Sequence, residues 1–146
     1  MSNYHKIIPA VYLILSRDKQ ILLQRRFKTG YEDGNYSLPG GHFEGNETAQ
    51  QVAIREAKEE LGVAVKQKDL EFVHLMHRMS NSQERIDITF LLKNWKGRLI
   101  NAEPNKCDQI SWFSLTKLPV NTIPCIKQVI NSVENKIIYS EFGWQE

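Results

Sequence analysis

The chain has 146 residues, 41% of them hydrophobic and 25% charged, which fits one domain with a single packed core spanning residues 1–146. The net charge is +2 and no basic run is present, so no membrane surface and no stable nucleic-acid complex is expected as partner. The two cysteines, Cys107 and Cys125, have neither C-x-x-C nor zinc spacing, so a reducing compartment and a cytoplasmic location are expected.

In chain order, Ile7–Ser16 predicts a strand: it is too short to span a bilayer, contains Pro9 and has no cleavage-site pattern of a signal peptide. Arg17–Lys19 predicts a polar turn and Gln20–Phe27 a second strand, together a hairpin. Lys28–Tyr36 reads as a loop, and Ser37–Gly41, with Pro39-Gly40-Gly41, as a tight bend. Thr48–Leu61 is the clearest helix, opened by a capping box from Thr48 and Gln51 and stopped by Gly62. Leu70–Met76 and Ile86–Lys93 predict strands separated by a polar loop, Ser80–Glu84, and Ile110–Phe113 a short strand. Pro119–Pro124 leads into a helix over about Cys125–Glu134, and Lys136–Tyr139 either extends it or forms an end strand. This order predicts an α+β fold, a mixed β-sheet sandwiched between helices.

On the first helix, Ile54, Ala57 and Leu61 share one side, and Glu56, Glu59 and Glu60 fall at i, i+3 and i+4 on the other. Like charges at this spacing cost roughly 0.2–0.5 kcal/mol per pair. A hard divalent cation, Mg²⁺ or alternatively Mn²⁺, removes that cost, because carboxylate oxygens are its preferred ligands. A solvated acidic face is the alternative for such a helix taken alone. The preceding Leu38-Pro39-Gly40-Gly41 brings backbone close to the same spot.

The segment GHFEGNETAQQVAIREAKEELGV resembles the Nudix box, G-x5-E-x7-R-E-U-x-E-E-x-G-U, with U a bulky aliphatic residue. Gly41, Glu47, Arg55, Glu56, Glu59, Glu60 and Gly62 fill its fixed positions and Val63 its last U; Ala57 is smaller than usual at the first. Phe27–His42 and Asn101–Pro124 also look like the MutT-like branch of that family. The resemblance implies a Nudix fold and a metal-dependent hydrolase of nucleotide diphosphate bonds. It assigns Mg²⁺ to Glu56 and Glu60 with the Gly40 carbonyl, and makes Glu59 a further ligand or the base. Arg55 would orient the carboxylates and Glu47 would pair with Arg55. A metal-activated water then attacks the diphosphate while a carboxylate takes its proton.

For the substrate, a small nucleotide, three residues offer signals. Arg25 is either a phosphate contact, as in relatives with arginine here, or a surface arginine. Glu103 is a late carboxylate that reaches the metals or simply a solvated loop residue. Asn121 reads a purine edge, as an amide can, or caps the last helix. Residues 63–92 lack the proline usual in ADP-ribose hydrolases and the tyrosine of dinucleoside polyphosphate hydrolases. Elimination therefore favours a nucleoside triphosphate, such as the oxidised purine 8-oxo-dGTP, cleaved to monophosphate and pyrophosphate. A nucleotide-sensing module without catalysis and an RNA-end pyrophosphohydrolase are the alternatives. His42 reads as a hydrogen-bonding loop residue, and His74 and His77 as residues on opposite strand faces. The sequence leaves monomer and homodimer open.

Overall fold

The computed structural model describes residues 2–145. Strand β1 (Ile8–Ile14) alternates its side chains between two cores, and this alternation organises the molecule. Val11, Leu13 and Leu15 enter a cluster with Val52, Ala53, Ala57 and Leu61 of helix α1 (Ala49–Leu61). Ile14 enters a second cluster, with Ile126, Val129 and Ile130 of helix α2 (Pro124–Glu134), and Tyr12 packs against it. On β3 (Gln20–Arg26) Leu22 joins the first cluster, Ile21 and Leu23 the second. Burying both faces of a strand requires a covering layer on each side, which the two helices supply.

The chain passes from one sheet to the other at Leu15. β1 lies in a five-stranded mixed sheet with β5 (Gly40–His42), β7 (Gln83–Leu92), β6 (Leu70–Ser80) and β9 (Tyr139–Phe142), in the order β5-β1-β7-β6-β9. β2 (Ser16–Arg17), β3, β4 (Tyr36–Ser37) and β8 (Cys107–Ser114) make the other sheet. The β1–β7 and β6–β9 pairings are parallel and the remaining pairings antiparallel. The β2–β3 hairpin turns at Asp18 and Lys19, both at positive φ (51° and 61°), the conformation a two-residue hairpin turn demands.

The structure departs from the sequence reading at two places that matter for the site. Ser37–Gly41 is not one tight bend: the chain bends at Pro39, between Ser37 at the end of β4 and Gly40 at the start of β5. Gly40 and Gly41 lie in β5, paired with Tyr12 and Val11, and neither has positive φ. Their lack of a Cβ serves close approach instead. Nor is Ser80–Glu84 a loop: β6 and β7 continue to a two-residue turn at Asn81 and Ser82 (φ 50° and 62°). The extension is polar, with Arg78, Ser80, Gln83 and Arg85 lining a cavity instead of a core, so it carries no hydrophobic strand pattern. At the end of the chain Lys136–Ile138 neither extends α2 nor forms a strand; the end strand β9 begins only at Tyr139. No helix among the described residues is long and apolar enough to cross a membrane.

Candidate functional site

Helix α1 carries the acidic residues, and its two ends are fixed by local chemistry. Thr48 accepts from the Gln51 amide (3.1 Å) while the Gln51 side chain accepts from the Thr48 amide (2.8 Å), closing the capping box. Gly62 caps the other end with φ of 71° in the left-handed region. The next segment completes that cap from a distance: Ile100 N–H donates to the Leu61 carbonyl (3.0 Å) and Ala102 N–H to the Glu60 carbonyl (3.1 Å). Carbonyls left open at a helix end are thereby paired. The same docking delivers Glu103 beside the helix.

The three helix carboxylates do not form one solvated face. Glu56 is 7% exposed and sits on the flank of the helix that also buries Val52, Ala53 and Ala57. Glu56 and Glu60, one turn apart, meet Glu103: oxygen atoms of all three lie within 4.8 Å of one another. Glu59 stands at the rim, its side chain 46% exposed, and Arg55 Nη1 lies 3.3 Å from it. Three carboxylates in contact repel one another when ionised, a repulsion relieved by protons or by a cation, and the all-oxygen donor set fits a hard divalent ion.

Backbone approaches hold this cluster. Gly40 N–H donates to Glu60 (2.9 Å), and the Gln24 side chain bonds the same carboxylate. A Cβ at Gly41 would stand 2.2 Å from a Glu56 oxygen, so the carboxylate occupies the space that glycine leaves open. Arg55 ties the surrounding acids together. Its Nη2 and Nε reach Glu47 (2.9 and 3.1 Å), its Nη1 reaches Glu56 (2.8 Å) and Glu44 (3.3 Å), and Nη2 also donates to the His42 carbonyl (3.1 Å).

Burial pushes the Glu56 carboxyl up to about 7, against the pull of Arg55, and the Glu60 carboxyl up to about 8, against the Gly40 hydrogen bond. Glu103 adds repulsion to both. Both folded values lie above the ordinary 4.5. The stabilisation from holding these protons is full below 4.5 and is lost as pH rises through 7 to 8. We therefore expect the metal-free protein to lose stability steadily between about pH 5 and 8.5 from these groups. Thermal melts in EDTA against pH check this, and Mg²⁺ restores the loss at the alkaline end. A flat pH profile in EDTA contradicts it. Glu47 and Asp108, held below the usual carboxylate range by Arg55 and Arg25, act in the opposite sense but below about pH 4.

The cluster opens onto a cavity of about 840 Å³, whose basic lining residues are Arg26, Lys28, Arg78, Arg85, Lys106 and the imidazole of His42. Burial and the neighbouring Arg85 lower the His42 pKa. Lys106 pairs with Glu103 at 3.4 Å. Arg25 is not part of the lining. It points to the other face of β3, where its guanidinium grips Asp108 through two hydrogen bonds (2.8 and 3.0 Å). Gln24 and Arg26 face the cavity instead, with a register shift of the β3–β8 pairing at Arg25/Arg26. Asn121 also lies outside the lining. It is exposed, donates to the Gly34 carbonyl (2.8 Å), and is not the cap of α2, whose N-cap is Ile123. His74 is buried and spent on the Ile137 carbonyl and Ser140, and His77 on Glu84. Arg26, Arg78, Arg85 and Lys106 were missed in the sequence, although two-residue alternation along β6 and β7 carries the signal for Arg78 and Arg85.

Clustered carboxylates facing guanidinium and ammonium groups across one cavity suit a divalent cation bound together with a phosphorylated ligand. The chain belongs to the NUDIX family: the model of the NUDIX domain matches residues 6–131. It is 34% identical over 113 residues to the ADP-ribose pyrophosphatase of Methanocaldococcus jannaschii, covering 76% of this chain and 65% of that protein. It is 26% identical over 150 residues to the NAD-capped RNA hydrolase NudC of Vibrio atlanticus, covering 99% of this chain and 52% of the relative. The chain thus spans between half and two thirds of the length of these curated relatives. The solved MutT NUDIX hydrolase from Burkholderia pseudomallei shares the fold, with a TM-score of 0.79, 24% identity, and coverage of 87% of this chain and 98% of that one. The MutT protein from Methanosarcina mazei does likewise (TM-score 0.78, 20% identity, 92% and 98% covered).

Proposed function

We propose that this protein hydrolyses the diphosphate bond of a small nucleotide with the help of a divalent cation, Mg²⁺ or Mn²⁺. The observation that carries the proposal is the meeting of Glu56, Glu60 and Glu103 in the lining of a cavity that also presents arginine and lysine side chains. These three would hold the cation, with the Gly40 carbonyl beside them. The bound cation would polarise the phosphoryl group and lower the pKa of a water. We assign the proton of that water to Glu59, a reading supported by its position at the rim and its tether to Arg55. Arg55 and Glu47 position the cluster, and Arg26 and Lys106 offset phosphate charge from the cavity walls.

Two substrate readings have separate support. A nucleoside triphosphate, including 8-oxo-dGTP, giving monophosphate and pyrophosphate, rests on the missing proline and tyrosine in residues 63–92. The placement of Asn121 away from the cavity removes the base-reading argument from it. A nucleoside diphosphate linked to a sugar is favoured by the name of the 34% identical relative, ADP-ribose pyrophosphatase. A panel of nucleoside triphosphates, 8-oxo-dGTP, ADP-ribose and NAD⁺ with Mg²⁺ separates them. The expected result is turnover of at least one compound, abolished by EDTA. Binding of nucleotide with no product from any diphosphate would instead establish a sensing module.

A further inference from the structure

The inner wall of the cavity holds more positive charge than its neighbours neutralise. Arg78 on β6 and Arg85 on β7 are directly opposed across the two strands. Like charges in that position repel. Asp87 is the carboxylate beside them, and Arg78 takes it, with Nε 2.7 Å and Nη2 3.4 Å from its oxygens. Both partners of that pair are buried, at 3% and 1% exposure.

Arg85 is left over. Among the described residues no carboxylate pairs with it. Its Nη2 meets the His42 imidazole and its Nη1 makes a long contact of 3.4 Å to Gln83. Its Nε is buried and has no hydrogen-bond partner among the described residues. A guanidinium has five N–H donors, and a buried donor without an acceptor is costly. Arg85, His42 and Gln83 all line the cavity that the carboxylate cluster opens onto.

We propose that Arg85 is an anion-binding residue that takes a phosphoryl group of the substrate, at a subsite on the sheet side of the cavity apart from the Glu56–Glu60–Glu103 cluster. The ligand supplies the negative charge that the Arg78–Asp87–Arg85 row lacks. A bidentate guanidinium contact selects phosphorylated ligands over the bare nucleoside. This rests on the reading of the substrate as a nucleotide, but it is tested without turnover.

The test is calorimetric titration in EDTA of wild type, Arg85→Gln and Arg85→Lys with inorganic pyrophosphate, AMP and GMP, and with adenosine and guanosine. The phosphorylated probes are expected to bind wild type and to lose at least tenfold in affinity to Arg85→Gln, with partial retention in Arg85→Lys. A thermal melt without ligand separates this from a merely structural role. Arg85→Gln relieves repulsion with Arg78, so its melting temperature equals or exceeds that of wild type, whereas loss of a structural contact lowers it. Equal binding of the phosphorylated probes by wild type and Arg85→Gln overturns the proposal. So does failure of wild type to bind any of them, or an equal Arg85 dependence for the unphosphorylated nucleosides. Absence of hydrolysis in the substrate panel would overturn the catalytic reading and leave this one standing.

Discussion

Glu56→Gln is expected to reduce hydrolysis by about 10³-fold or more while the protein still folds. The amide keeps the shape of the side chain and one oxygen for Arg55 Nη1, now 2.8 Å from Glu56. What it removes is half of the charge that the helix offers to the cation, since Glu56 and Glu60 are the helix members of the cluster. Stability in EDTA should move the other way. Above pH 7 the wild-type carboxylate is ionised in a buried position, so the uncharged amide raises the melting temperature of the metal-free protein. The measurement is kcat with Mg²⁺ on whichever diphosphate the panel identifies, beside melts in EDTA and in Mg²⁺. Near wild-type kcat would remove Glu56 from the catalytic assignment. Unfolding of the variant in EDTA would contradict the account of its burial.

Gly40→Ala and Gly41→Ala should fail in different ways, although the residues are neighbours. A methyl group at position 40 would stand 2.1 Å from the Val11 carbonyl oxygen, which belongs to the backbone of β1. The β1–β5 pairing must open to admit it, at a cost of about 3 kcal/mol. A methyl group at position 41 meets the Glu56 carboxylate at 2.2 Å, the far end of a side chain that can turn away. The expected outcome is a lower melting temperature for Gly40→Ala. Gly41→Ala should instead keep most of its stability and weaken Mg²⁺ binding at least tenfold. Chemical denaturation and metal titration of the two variants decide it. If both lose only stability, Gly41 has no role in placing Glu56.

The helix was legible in the sequence to within a residue, because Thr48, Gln51 and Gly62 act within a single turn of the chain. The carboxylate spacing was legible for the same reason. Their grouping was not. A helical wheel places Glu56, Glu59 and Glu60 together, but the space over Glu56 is set by Gly41 on a separate strand. The third member of the cluster, Glu103, stands in the sequence between a carboxylate reaching the metals and a solvated loop acid, since hydrogen bonds to the Glu60 and Leu61 carbonyls decide its place. Arg25 illustrates the other limit. Successive strand residues face opposite ways, so taking the neighbour of Arg26 sends the charge to the wrong side of the sheet.

The docking of residues 100–102 on the last turn of α1 ties two distances in sequence into one event. Glu56 and Glu60 come together as soon as the helix forms, because they are four residues apart. Glu103 lies beyond β6 and β7 in sequence and meets the pair only through tertiary docking. A partly folded chain therefore presents an acidic pair, and only the completed domain presents the trio. A cation that prefers the trio would bind the finished fold and pull the folding equilibrium toward it, so metal occupancy would report how far assembly has gone.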